Sequence, residues 1–269
     1  MHDFDRDTAL ASIGDKAWRA ELGEGWCVGP VPNGGYLMAI VLKAMGQHLP
    51  HPDPFTATIH YLRPAQIGAA EIEVDVVRIG RGHSTARATL SQEGKARLTA
   101  LATFGDLSAP DGPDFMPARP PDEAPPPEGC LPLKATGLWV PEVARRFDWR
   151  YPPECLRWFQ GQEQEARLGA WIRFEDGRPN DLLSLAMFCD AFPPPVRTVM
   201  EIGWVPTIEL TVHFKGKPAP GWVLGWFKTR WCQGGYLEED GELWDSQGRL
   251  VAISRQMARV HARTGHGEL

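Results

Sequence analysis

Two stretches of this chain repeat one another. TIHYLRP (Thr58–Pro64) and TVHFKGKP (Thr211–Pro218) each run threonine, apolar, histidine, aromatic, then a basic residue and a proline. Arg78, Gly82 and Leu98 return as Arg230, Gly234 and Leu250, each 152 positions later and with no gap between them. Several matches in one register mark a duplication, so the fold has to be built twice from similar parts. The halves also share an order of elements. Each has a strand-like stretch (AWRAELGEGWCV; ARLGAWIRFEDG), a long apolar helix candidate (NGGYLMAIVLKAM; NDLLSLAMFCDAF), and several alternating strands separated by turn residues. One helix cannot cover both faces of a long antiparallel sheet, but it can lie in the curve of a strongly bent one. Two similar α+β units side by side are therefore expected.

Between them lies APDGPDFMPARPPDEAPPPEGCLP, with nine prolines from Pro110 to Pro132, which reads as an extended surface linker without a core of its own. The expected divisions are an N-terminal unit over 1–105, a linker over 106–140 and a C-terminal unit over 141–269.

One residue resists a purely structural reading. The apolar run DLLSLAMFCDAFPPP looks like a buried helix stopped by its prolines, and Asp190 falls in its last turn. The negative end of the helix dipole disfavours a carboxylate there, and burial adds a penalty unless the group is hydrogen-bonded or protonated. An acid that breaks two local rules is either exposed at a frayed end or kept for chemistry. A second candidate is PNGGYLMAIVL, where Asn33 and two glycines open a helix. Backbone N–H groups at its positive end suit an anion or a polarised carbonyl oxygen, or simply form a cap and tight turn.

The remaining features narrow the chemistry. A net charge of −6 argues against nucleic acid or an anionic membrane as the main partner. The five cysteines are isolated, which favours a reducing compartment and no structural zinc. The polar start MHDFDRDTALASIG does not read as a signal peptide, and the expected location is cytoplasmic. No GxSxG elbow, complete GxGxxG, P-loop or HExxH occurs. His60 and His213 hold equivalent places in the two repeats, which suits a fold position better than a unique catalytic one.

VPNGGYLMAIVL, TIHYLRPAQIG, RIGRGHSTARATLSQEGKARLTALATF, CDAFPPP, PTIELTVHFKGKP and GGYLEEDGELWDSQGRLVAISRQMAR, in this order, resemble the type II acyl-CoA thioesterase family over nearly the whole chain outside the linker. The resemblance implies a double hot-dog fold, two curved antiparallel sheets each wrapped around a long central helix. It implies a water-activating triad at Asp190, Thr207 and Gln256, with no metal or organic cofactor and with acyl-CoA as the substrate. Candidate donors to the carbonyl oxygen are the N–H groups around Gly34, Gly35 and Tyr36. Basic residues in the repeat turns, Arg78, Arg81 and Arg230, are candidates for the CoA phosphates. Some relatives carry a histidine where this chain has Thr58, so no catalysis is assigned there. Carrying the triad back through the repeat gives Lys43, Pro54 and Phe104, which cannot activate water, so one hydrolytic site per chain is expected.

Strand alternation groups Thr207 with Glu209, Thr211 and His213, opposite Ile208, Leu210, Val212 and Phe214. Thr207 then needs a bend or an edge position to reach Asp190. Gln256 shares its face with small residues, Ala252, Ser254 and Ala258. A dimer of double units is expected from the sheet edges. Two rivals stay open: a non-catalytic acyl-CoA or fatty-acid binding module, and a hot-dog hydratase or dehydratase, for which no histidine follows Asp190 closely.

Overall fold

The computed structural model describes residues 1–109, 112–137, 140–155 and 165–261, so parts of the expected linker and of the C-terminal unit lie outside the described residues. The first half runs α1 (Asp3–Asp7), β1 (Ala11–Gly14), β2 (Ala17–Leu22), β3 (Cys27–Val28), β4 (Val31–Pro32), α2 (Gly34–Gly46), β5 (Asp53–Tyr61), β6 (Gly68–Ile79), β7 (Ser84–Gln92) and β8 (Lys95–Gly105). The second runs β9 (Leu131–Pro132), β10 (Phe147–Tyr151), β11 (Arg167–Phe174), α3 (Leu182–Phe188), β12 (Thr207–Phe214), β13 (Val223–Lys228), β14 (Cys232–Gln233), β15 (Tyr236–Asp245) and β16 (Leu250–Arg259).

Fourteen of these strands form one antiparallel sheet in the order β1-β2-β6-β7-β8-β5-β12-β16-β15-β13-β11-β10-β9, with β14 paired to β15. The order reads the same way outward from its middle, where the repeated strands β5 and β12 lie antiparallel. Thr58 stands opposite Thr211 with their hydroxyls 2.8 Å apart, so the duplicated motif meets its own copy at the seam. His60 and His213 both face solvent from this pair, in keeping with a shared place in the fold.

Helix α2 is apolar on every side because every side is covered. Residues Tyr36 to Leu42 are all buried between β5–β8 on one side and α3 on the other. The sheet beneath it presents Ala86, Ala88, Ala100 and Ala102, small side chains that let the helix backbone approach. Each fully buried Ile or Leu of this layer contributes about 1.5–3 kcal/mol relative to exposure. One apolar cluster runs through both halves, from Ile40 and Leu90 to Phe188 and Val212. Each half is a helix held against an antiparallel half-sheet, and the two together form the double hot-dog architecture.

One expectation changes, and one is filled in. Helix α3 ends at Phe188, with Cys189 as its cap, so Asp190 stands in the turn beyond it and not in its last turn. The proline-rich segment lies against the second unit: Trp171 Nε1 donates to the Pro125 carbonyl at 2.8 Å, and β9 pairs with β10.

Candidate active site

The two helices pack against each other, and at one end the start of α2 meets the residues that follow α3. Asn33 caps α2, its Oδ1 accepting from Tyr36 N at 3.1 Å. Its amide nitrogen reaches across to Asp190, donating to the backbone carbonyl at 2.7 Å and to Oδ2 at 3.0 Å. The Gly35 N–H donates to the same Oδ2 at 3.1 Å, and the Gly34 N–H joins it. The positive end of α2 thus supplies what the end of α3 withholds from a carboxylate. Two glycines are required for sterics. A Cβ on Gly34 would fall 2.9 Å from Asp190 Oδ2, and one on Gly35 would fall 2.6 Å from the Met187 carbonyl oxygen. Tyr61 closes the site from below, its hydroxyl donating to the Gly34 carbonyl at 2.8 Å.

Thr207 reaches this cluster through a β-bulge. Thr207 pairs with Ala258 and Glu209 with Met257, so Ile208 is the extra residue. Ile208 is turned outward, 38 % exposed, and leaves the apolar face assigned to it by alternation, while Thr207 comes round toward Asp190. Its hydroxyl donates to Gln256 Oε1 at 2.7 Å and also lies within hydrogen-bonding reach of the Asp190 carboxyl. Gln256 is buried on the inward face of β16 with Ala252, Ser254 and Ala258, and its Nε2 donates to Glu239 Oε1 at 2.6 Å. The structure therefore brings Asp190, Thr207 and Gln256 together and adds Asn33, Tyr61 and Glu239. A signal for Glu239 existed: alternation along YLEEDGEL places it with Leu237 and Leu243, inside, while Glu238 and Asp240 lie on the other face.

Electrostatically the centre is a desolvated carboxyl held against its preference. Burial pushes the Asp190 carboxyl up to about 6, and the donors from Gly35, Gly34 and Asn33 pull against that rise. Burial likewise pushes Glu239 up to about 8; the Gln256 hydrogen bond opposes the rise and the negative Asp190 adds to it.

Of the N–H groups considered for a substrate oxygen, that of Gly35 donates to Asp190 and that of Tyr36 to the Asn33 cap, while that of Gly34 lies beside the same Asp190 carboxyl. The arginines also divide. Arg78 and Arg81 stand at the β6–β7 turn, in the row of Ser84, Phe104 and Pro54. Tyr61 is seven residues further along β5, roughly 23 Å at a strand's rise per residue. Arg230 follows β13 at the Thr207 end of the sheet and is paired with Asp240 at 2.6 Å and with Glu238, on the face opposite Glu239.

This frame defines a double hot-dog protein with, among the described residues, a half-buried acid–amide–hydroxyl cluster at one helix junction. The chain belongs to the acyl-CoA thioesterase family: its N-terminal domain matches residues 22–105 and its C-terminal domain residues 121–260. A Thermobifida fusca structure provisionally described as a thioesterase II is 30% identical and superposes with a TM-score of 0.89, over 97% of this chain and 98% of that one. A protein of unknown function with a hot dog fold from Alicyclobacillus acidocaldarius is 26% identical, with a TM-score of 0.88 over 98% and 100% of the two chains. The thioesterase-like protein TwmA of Talaromyces wortmannii is 25% identical over 96% of this chain and 91% of its own length. Among the described residues no helix is long and apolar enough to cross a membrane.

Proposed function

We propose that the chain hydrolyses acyl-CoA thioesters to a carboxylic acid and free CoA, with water held by Asp190, Thr207 and Gln256. The observation that carries this reading is the Asp190 carboxyl, raised to about 6 and set against a hydroxyl that is itself tied to an amide. A base of that strength is mostly ionised at neutral pH yet takes a proton more readily than an ordinary aspartate, the compromise that general-base catalysis favours. Asp190 takes one proton of the water as its oxygen attacks the thioester carbonyl. The tetrahedral adduct collapses with cleavage of the C–S bond, and the proton held by Asp190 passes to the departing CoA sulfur. The start of α2 favours the negative charge developing on the carbonyl oxygen through its field, since its first N–H groups are already engaged. For the CoA phosphates Arg230 is better placed than Arg78 or Arg81, and it would exchange its carboxylate partners for them.

A hydratase or dehydratase reading is disfavoured by the partners of Asp190, which are Asn33, Gly34, Gly35 and Thr207 with no histidine among them. The test is release of free CoA from short, medium and long acyl-CoAs, corrected for the five cysteine thiols of the chain. Turnover on at least one chain length is expected. Saturable binding without turnover across the panel would instead establish a binding module.

A further inference from the structure

We infer that Glu239 is a positioning residue of this site: in its uncharged form it holds the Gln256 amide so that Oε1, and not the N–H₂ group, faces Thr207. The inference rests on the hydrolysis proposed above and assigns a part in it to a residue that does not touch the water or the substrate.

The reasoning begins with proton counting. Thr207 has one hydroxyl proton and two acceptors in reach, Gln256 Oε1 at 2.7 Å and the Asp190 carboxylate. If the amide turned over, its N–H₂ would donate to Thr207, and the hydroxyl proton would fall to Asp190 and occupy the base. With Oε1 forward, the Thr207 proton is drawn away from Asp190. The Asp190 carboxylate and a Thr207 lone pair are then both free to accept from one water. What decides between the two orientations is the partner behind the amide, and that partner is Glu239 Oε1, accepting from Nε2 at 2.6 Å. With the proton of the acid on Oε2, Oε1 can only accept, and an acceptor there holds the forward orientation.

The uncharged form follows from the surroundings. Glu239 is 4 % exposed, no cation among the described residues pairs with it, and its Oε2 is buried without a hydrogen-bond partner. The charges that act on it are negative: Asp190 from the segment after α3, and Glu238 and Asp240 from the opposite face of its own strand. Cys189, whose thiol burial pushes up to about 12, is also near, and the neighbouring Gln256 on β16 does not titrate. A carboxylate in this position would be a buried, unpaired charge beside Asp190. A carboxylic acid keeps its carbonyl oxygen for Gln256 and carries the proton on Oε2.

The experiment compares Glu239→Gln and Glu239→Ala with wild type and Asp190→Asn, reading kcat, KM and the pH profile. Glutamine reproduces a neutral acid in shape and keeps the acceptor, so kcat within about threefold of wild type is expected; alanine removes the acceptor and should lower kcat about tenfold or more with KM little changed. Ionisation of Glu239 above about pH 8 places a second negative charge against the reacting centre, so wild-type kcat should fall there and Glu239→Gln should abolish that fall. If Glu239→Gln is as impaired as Glu239→Ala, or if Glu239→Ala has wild-type kcat, the inference is overturned. Should Glu239→Ala fail to fold, the glutamine variant decides: a lost alkaline fall supports the inference and a retained one overturns it. Full activity in Asp190→Asn, or no turnover by wild type, is a separate result that removes the hydrolytic reading itself.

Discussion

The two ends of the α2–α3 pair are copies of one design, and only one of them carries the proposed water-activating set. At the first end the start of α2 holds Asp190 beside Thr207 and Gln256. At the other, Asp181 caps α3 and accepts from Ser184 N at 2.8 Å. The buried Arg178 there bridges Asp181 at 2.7 Å and Asp5 at 2.8 Å. Lys43 takes the place of Asp190 and donates to Thr8 at 3.4 Å, its ammonium pulled down by burial. Even the bulge is duplicated. The pairing of β5 with β8 shifts between Pro54 and Thr56, 153 positions before the shift between Thr207 and Glu209. Both units therefore possess the bend that turns a side chain toward the helix junction. One presents a hydroxyl there, and the other presents a proline. The backbone supplies the place twice, and in the proposed reading three side chains give one copy its chemistry.

That contrast is easiest to break at Thr207. Thr207→Val keeps the shape and removes the hydroxyl, so kcat is expected to fall by about tenfold to a hundredfold with KM nearly unchanged. Steady-state kinetics on a hydrolysed acyl-CoA would show it. Gly35→Ala attacks the helix contact that has no room for a Cβ, since the added carbon meets the Met187 and Ala186 carbonyl oxygens at 2.6 and 2.9 Å. A stability loss of about 1–3 kcal/mol by denaturant unfolding is expected, with several-fold lower kcat as the Gly35 N–H shifts from Asp190. A Gly→Ala change at the open Gly82 turn is the control, where nothing stands within 4 Å.

Much of this was legible before any coordinates. The 152-residue register of Arg78 with Arg230 announced the duplication, and the sheet confirms it by pairing Thr58 with Thr211. The site was less legible because its decisive feature leaves no mark in residue types. Period-two alternation puts Thr207 on the face of Glu209, and one unpaired residue, Ile208, undoes that. The partner of the glycines at the start of α2 left no mark for a similar reason. An N–H group open in sequence can be filled by a residue 155 positions away, as Asp190 fills Gly35. Lys43 shows the converse. Its incapacity as a base was evident from its identity alone, while the ion-pair cluster around it depends on Arg178 and Asp5 arriving from other segments.

The same contrast predicts how stability depends on pH. Asp190 and Glu239 both bind protons more tightly in the folded chain than their ordinary values of 3.8 and 4.5. Their favourable contribution is complete below those values and is lost as pH rises through about 6 and about 8. Wild type should therefore lose thermal stability between pH 5 and pH 8, and Asp190→Asn should flatten part of the slope, by about 2–4 °C for each kcal/mol removed. A melting-temperature series across that range checks the sign. At the Lys43 end the expected effect on turnover is the smallest of the set: Lys43→Met should leave kcat within about twofold, because the proposed proton transfer runs through the other end.

The most direct test of a single hydrolytic centre is CoA release by Asp190→Asn and wild type in parallel, on the acyl chain length that wild type turns over best. The asparagine keeps the size and the contacts with Asn33 and Gly35 but cannot take a proton from water, so kcat should fall by about 10²–10⁴. Turnover by Asp190→Asn at the wild-type rate would contradict the assignment and move the chemistry elsewhere in the molecule.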